Sequence, residues 1–219
     1  YDHVITSADL EKLLLPGGDL TVAAGTRPKR IAFVHCVGSR DEKSGNHYCS
    51  KVCCITGVKQ AIELKKRLPD AEIYCFYMDL RMYGKHFEEL YREAQEKYDI
   101  QFIRGRLSEA SEKMDKSLLI KAEDTLSGRP LKMNVDLLVL LIGMEAGKGT
   151  ATTATACALQ CEDSGFLKTS DSFLESNLSS IEGIFLAGSC TAPMSVNDTI
   201  LHARSAATEV NKWLKSVRE

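Results

Sequence analysis

The 219-residue chain carries 28 Lys and Arg against 30 Asp and Glu, a net charge of −2, with 44% hydrophobic and 26% charged residues. That composition is ordinary for a folded globular protein, and the balanced charge offers no broad basic field for nucleic acid, so no nucleic-acid partner is expected. The longest strongly apolar run, Val135 to Met144, contains Asp136 and falls short of the ~20 residues a membrane-spanning helix needs, so no membrane span is expected either.

The opening Tyr1-Asp-His-Val-Ile-Thr6 lacks the basic start and apolar stretch of a signal peptide, which predicts a cytoplasmic protein. Eight cysteines in a reducing compartment are more naturally a metal or redox site than a set of disulfides.

In chain order, residues 1–29 are punctuated by Leu15-Pro-Gly-Gly18 and Gly25-Thr-Arg-Pro28, which predicts a short helix and loops. Arg30 to Val37 is rich in β-formers, and Lys51 to Leu68 repeats apolar residues at helical spacing (Val58, Ala61, Ile62, Leu64, Leu68). Ala71 to Met78 is again β-rich, which completes a βαβ unit. A helix over about His86 to Tyr98 and a strand over Ile100 to Arg104 continue the alternation, which implies a parallel sheet.

From Ser117 the pattern changes. Leu118 to Ala122, the turn Ser127-Gly-Arg-Pro130 and the run Leu137 to Ile142 predict strands without intervening helices. Gly147 to Ser164 is small and polar. Ile181 to Ala187 reads as a buried strand running through Gly188 into a last helix. One face of that helix carries Ile200, Ala203, Ala207, Val210, Leu214 and Val217, and Ser195 with Asp198 makes a variant capping box.

The chemistry concentrates in four cysteines. Cys36 ends the first strong strand, twelve residues separate it from Cys49, three lie between Cys49 and Cys53, and Cys54 follows directly. The spacing predicts that four thiols meet where a strand's carboxyl end faces a helix N-terminus, the usual ligand crevice of such folds. Free backbone N–H groups and the helix dipole favour thiolates there. Soft thiolates suit zinc and iron–sulfur clusters. The adjacent Cys53-Cys54 pair is awkward around one small ion and easier around a cluster, though zinc and plain burial stay open.

Cys75 falls in a strand and reads as core. Cys157 and Cys161 lack accompanying ligands, Cys190 just after Gly188-Ser189 reads as a small side chain filling space with a redox role as the alternative, and His35 and His47 flank the motif as neighbours rather than needed ligands.

Val34-His-Cys-Val-Gly-Ser-Arg-Asp-Glu42 followed by Tyr48-Cys-Ser-Lys-Val-Cys-Cys54 resembles the signature of heterodisulfide reductase A subunits. The resemblance continues through Gly143 and Phe185-Leu-Ala-Gly-Ser-Cys190 to Asp198-Thr-Ile200. It implies a [4Fe–4S] cluster on Cys36, Cys49, Cys53 and Cys54 within a thioredoxin-reductase-like α/β body. That body is a Rossmann-like, NAD-domain-like parallel sheet carrying the cluster, plus the C-terminal part of an FAD-binding domain of the two-dinucleotide-domain reductase type.

The corresponding division is 1–29 as the tail of a first FAD segment and linker, 30–125 as the NAD-like domain, and 126–219 as the C-terminal FAD segment. FAD contact is implied for Gly143, Gly188, Ser189, Asn197, Asp198 and Thr199. Ser189 replaces the acidic residue many disulfide reductases carry, and no Gly-x-Gly-x-x-Gly follows any strand.

The implied function is electron transfer between FAD and the cluster for reduction of a CoB-CoM-type heterodisulfide or related sulfur compound. The implied partners are other heterodisulfide-reductase-type subunits and carriers such as ferredoxin or hydrogenase, with a homodimer also open. Two alternatives stand beside it: a zinc-stabilised interaction module on a vestigial reductase fold, and a pyridine-nucleotide disulfide oxidoreductase.

Overall fold

The structure, a computed structural model, describes residues 1–22 and 25–218. The chain divides into two compact units, one of residues 1–38 and 53–143, the other of 39–52 and 144–219.

In the first unit, β1 (Val4–Thr6), β2 (Arg30–Val37), β3 (Glu72–Tyr77), β4 (Gln101–Arg104) and β8 (Leu137–Ile142) form a five-stranded sheet in the order β1-β8-β2-β3-β4. Every pairing in it is parallel. The helices α1 (Ser7–Leu13), α2 (Cys53–Arg67) and α3 (Phe87–Glu96) supply the crossovers and flanks. A three-stranded antiparallel meander, β5 (Leu107–Glu112), β6 (Leu118–Asp124) and β7 (Arg129–Val135), completes the unit.

Strand alternation sorts the core into two layers. Ile31, Phe33, Ile73, Cys75, Leu137, Val139 and Leu141 pack with Val58, Ala61 and Leu64 of α2. Ala32, Phe76 and Leu138 pack with Leu118, Ile120 and Val135 of the meander. Because β2 and β8 are covered on both faces, their sequences read as near-continuous apolar runs. Burial pushes the Cys75 thiol up, which keeps it protonated, and the strand reading of that residue as core holds.

Asp136, the lone charge in its apolar run, sits in the turn between β7 and β8. Its carboxylate accepts from the N–H groups of Lys29 and Arg30 at 2.8 and 2.9 Å, tying that turn to the start of β2.

The expected division at 29/30 and 125/126 differs from these units. The first residues are an integral edge: β1 pairs with β8, and Leu10 of α1 is in the core. A capping box between Thr6 and Asp9 starts α1. The meander cannot be cut near residue 126, because β6 and β7 pair along their whole length across that turn.

The second unit is sparser in regular structure, with α4 (Thr150–Ala156), a 3-10 turn over Gly188–Cys190 and α5 (Val196–Ser216). The strand expected over Ile181 to Ala187 is not formed. An isolated bridge between Leu178 and Phe185 and the Leu186 N–H donating to the Asn177 carbonyl at 2.8 Å mark it, and side chains add to that order. Buried Asn177 donates to the carbonyls of Leu186 and His202 at 2.8 and 3.1 Å, and Ser179 donates to those of Ile181 and Ile184.

The apolar stripe of α5 is only partly covered. Ile200, Leu214 and Val217 are exposed, while Ala206 is buried and His202, Val210 and Trp213 are partly covered. Trp213 sets this rotation: its ring packs edge-on to Phe185, its Nε1 donates to Glu182, and it lies against Gly183, where a Cβ would come within 3.3 Å.

Candidate functional site

In the first unit the cysteines sit at the carboxyl end of β2 and the N-terminus of α2. The pairing of β2 with β8 shifts register between Val34 and Val37, and Cys36 within that interval has a φ of 60°. A bulge of this kind re-aims side chains at a strand end and recurs beside functional sites. Cys53 and Cys54 are the first two residues of α2, where the helix dipole favours a thiolate. The basic last turn, Lys65 to Arg67, complements the other end of that helix. All three thiols are buried, at 3–4% exposure, and the Cys54 thiol points to the Asp79 carbonyl at 3.8 Å.

His35, between Val34 and Cys36, is buried with neither ring nitrogen bonded, and burial pushes its imidazole down to about 4. Its Cε1 lies beside Gly57, where a Cβ would approach it at 3.3 Å and Leu141 Cδ1 at 2.4 Å. Glycine at this helical position gives the imidazole room.

Cys49 belongs to the second unit, in the loop 39–52. The loop is knit within that unit by a buried Ser39–Ser50 hydroxyl pair and by Met144 N–H donating to Ser50 Oγ at 2.8 Å. The Tyr48 hydroxyl donates to the Met144 carbonyl at 3.0 Å, and its ring meets Phe166 edge-on. The Lys51 N–H donates to Cys49 Sγ at 3.3 Å, with Lys51 itself at a φ of 64°.

Among the described residues no group of three or more His, Cys, Asp and Glu side chains is arranged to hold a metal ion. By chemistry the set still fits: four soft donors, three of them buried beside a helix N-terminus.

The residues expected at a flavin fall in both units. Gly143 follows β8 in the first, and its N–H donates to the Val37 carbonyl at 2.9 Å. In the second, buried Gly188 has a φ of 76°, and a Cβ there would come within 3.1 Å of Thr199 Cγ2, so only glycine suits the turn. Ser189 and Asn197 are exposed, while Asp198 and Thr199 are half-buried in the first turn of α5. A full capping box joins Ser195 and Asp198.

Sequence reasoning missed three contacts here. Gly188 N–H donates to His202 Nδ1 at 2.8 Å, so Nε2 carries the proton and donates to the Ser176 carbonyl at 3.1 Å. Asp198 Oδ2 also receives Lys51 Nζ at 2.8 Å, and this ammonium and the Ser195 bonds hold its carboxyl below the usual range. Contacts over such sequence separations carry no local signal.

A parallel sheet with helices on one face and an antiparallel meander on the other, joined to a unit with a glycine turn leading to a long helix, defines an α/β reductase of the two-dinucleotide-domain class. Thioredoxin reductase from T. acidophilum superposes with a TM-score of 0.58 at 13% identity, covering 99% of this chain and 58% of that one. The Lactococcus lactis enzyme superposes at 0.55 and 14%, covering 86% and 54%. Residues 54–209 match the family model for pyridine nucleotide-disulphide oxidoreductases, and the chain belongs to that family.

Its sequence relatives are narrower. It is 39% identical over 212 residues to the A subunit of the H(2):CoB-CoM heterodisulfide,ferredoxin reductase of Methanothermobacter marburgensis, covering 94% of this chain and 32% of the relative. It is 37% identical over 217 residues to the iron-sulfur A subunit of the CoB–CoM heterodisulfide reductase of Methanocaldococcus jannaschii, covering 96% and 33%. The resemblance to heterodisulfide reductase A subunits thus extends over nearly the whole chain, which spans about a third of the length of these relatives. Among the described residues no helix is long and apolar enough to cross a membrane.

Proposed function

We propose that the chain is the cluster-bearing part of an iron–sulfur flavoprotein oxidoreductase, with Cys36, Cys49, Cys53 and Cys54 holding one [4Fe–4S] cluster. In this reading the first unit is the NAD-domain-like body and the second the C-terminal part of an FAD-binding domain. The observation that carries it is the pairing of a strand-end bulge at Cys36 with Cys53 and Cys54 opening α2. A cluster there would be a one-electron carrier, and FAD supplies two-electron chemistry when bound.

Gly143, Gly188, Ser189, Asn197, Asp198 and Thr199 are proposed to line one side of the flavin. The α5 N-terminus offers a dipole end that stabilises negative charge. The first βα turn reads Cys36-Val-Gly-Ser-Arg40 where a nicotinamide-binding domain has its glycine fingerprint, so this unit is assigned no nicotinamide. The names of the relatives support heterodisulfide reduction as the overall reaction, with further reductase subunits and ferredoxin as partners.

The test is anaerobic reconstitution with iron and sulfide, followed by dithionite reduction and EPR spectroscopy. A reduced-cluster signal, lost in Cys53→Ser and Cys54→Ser, is expected. A colourless, EPR-silent protein that holds zinc contradicts the reading.

A further inference from the structure

His35 is a buried imidazole for which the described residues give no hydrogen-bonding partner: neither Nδ1 nor Nε2 is bonded. Whatever its tautomer, a neutral imidazole carries one N–H donor and one acceptor, and buried polar groups in folded proteins are nearly always satisfied. Such an exception asks for a ligand.

Its position says which ligand. Along β2, Ile31 and Phe33 pack with α2, and strand alternation places His35 on the same face, confirmed by its approach to the Gly57 position. Gly57 lies one turn beyond Cys53 and three residues beyond Cys54 on α2, and Cys36 is the next residue on the strand. The orphaned imidazole therefore shares its two elements with three of the four thiols. No carboxylate or hydroxyl of β2 or α2 engages it.

We propose that His35 is a positioning residue for the cysteine-bound group, donating its ring N–H to a sulfur of that group and raising its reduction potential. The inference rests on the cluster assignment above. It is distinct from ligation, since four thiols already supply a full donor set. An N–H donated to sulfur stabilises the more negative, reduced form, which is why such bonds raise cluster potentials. Gly57 follows from the same arrangement: a Cβ at that position would press on the ring.

The test is an EPR-monitored redox titration of the reconstituted chain, with iron and sulfide content measured in parallel, for the parent, His35→Leu and His35→Gln. The expected result is unchanged iron in all three, a potential lowered in His35→Leu by the equivalent of about tenfold in the one-electron equilibrium, about 59 mV, and partial recovery in His35→Gln, whose amide restores a donor. Should His35→Leu fail to fold, His35→Phe, which keeps ring volume beside Gly57, takes its place with the same expectation. Unchanged iron with an unchanged potential in the apolar variant overturns the role of His35 and leaves the cluster standing. A parent without iron overturns the cluster assignment, and this inference with it.

Discussion

Lys51 Nζ lies 2.8 Å from Asp198 Oδ2, so the loop that carries Cys49 is tied to the capping box that opens α5. Both side chains are about a third exposed. A pair so placed contributes little by itself, about 0.2–1 kcal/mol, and its value lies in registering the loop against the helix. A Lys51→Met/Asp198→Asn double-mutant cycle read by urea unfolding is expected to return a coupling in that range, declining with added salt.

The same carboxylate sets a pH dependence. Its folded value is depressed below 3.8, first by the Lys51 bond and then by Ser195. The stabilisation is therefore complete above the unfolded value and is lost as pH falls through the folded one. The coupling measured in the cycle is expected to be the same at neutral pH and at mild acidity, and to vanish only once Asp198 is protonated. A coupling already gone in mild acid contradicts the assignment.

Ser195→Ala is expected to cost about 1 kcal/mol through loss of the N-cap. His202→Ala leaves the Gly188 N–H and the Ser176 carbonyl without their partner and is expected to cost about 1–3 kcal/mol. Chemical denaturation separates the two, and a neutral His202→Ala contradicts the role given to that imidazole.

Gly57→Ala tests the packing beside the cysteines. In an open helix the change stabilises by about 1 kcal/mol. Here the new methyl meets Leu141 Cδ1 at 2.4 Å within a closed core, and overpacking of that kind costs about 1–3 kcal/mol. The melting temperature is expected to fall; a rise shows that Leu141 and His35 yield freely.

Thiol reactivity in the metal-free chain follows burial. Cys161 is exposed and is expected to alkylate first, whereas Cys75, fully buried and with its thiol pushed up, is expected to react only on unfolding. Peptide mapping after timed iodoacetamide treatment reads the order.

Much of the first unit is legible in the sequence, because its strands are doubly covered and its helices keep one apolar face, so local periodicity and tertiary burial agree. The meander is legible only in part: β6 and the Ser127-Gly128 turn follow from the sequence, whereas β5 gives no clear strand signal and Leu137 to Ile142, expected beside the meander strands, is β8 of the parallel sheet. The second unit is not. Between Asn177 and Leu186 order comes from an isolated bridge, short-range backbone bonds and side-chain bonds to carbonyls rather than from an extended ladder, and Ile181 to Ala187 only imitates a strand. The buried face of α5 is set by Trp213 and His202, not by the aliphatic stripe. At the candidate site the cysteine spacing is visible as a motif, and the capping box at Ser195 follows from residue type. The Lys51–Asp198 pair and the unpartnered state of His35 depend on contacts the linear sequence does not carry.

The most direct test of the central claim is iron, acid-labile sulfide and zinc content, with a visible spectrum, on protein prepared without oxygen. The parent is expected to hold about four irons and four sulfides per chain, with each of Cys36→Ser, Cys49→Ser, Cys53→Ser and Cys54→Ser lowering both. One zinc per chain with no sulfide and no visible absorbance contradicts it.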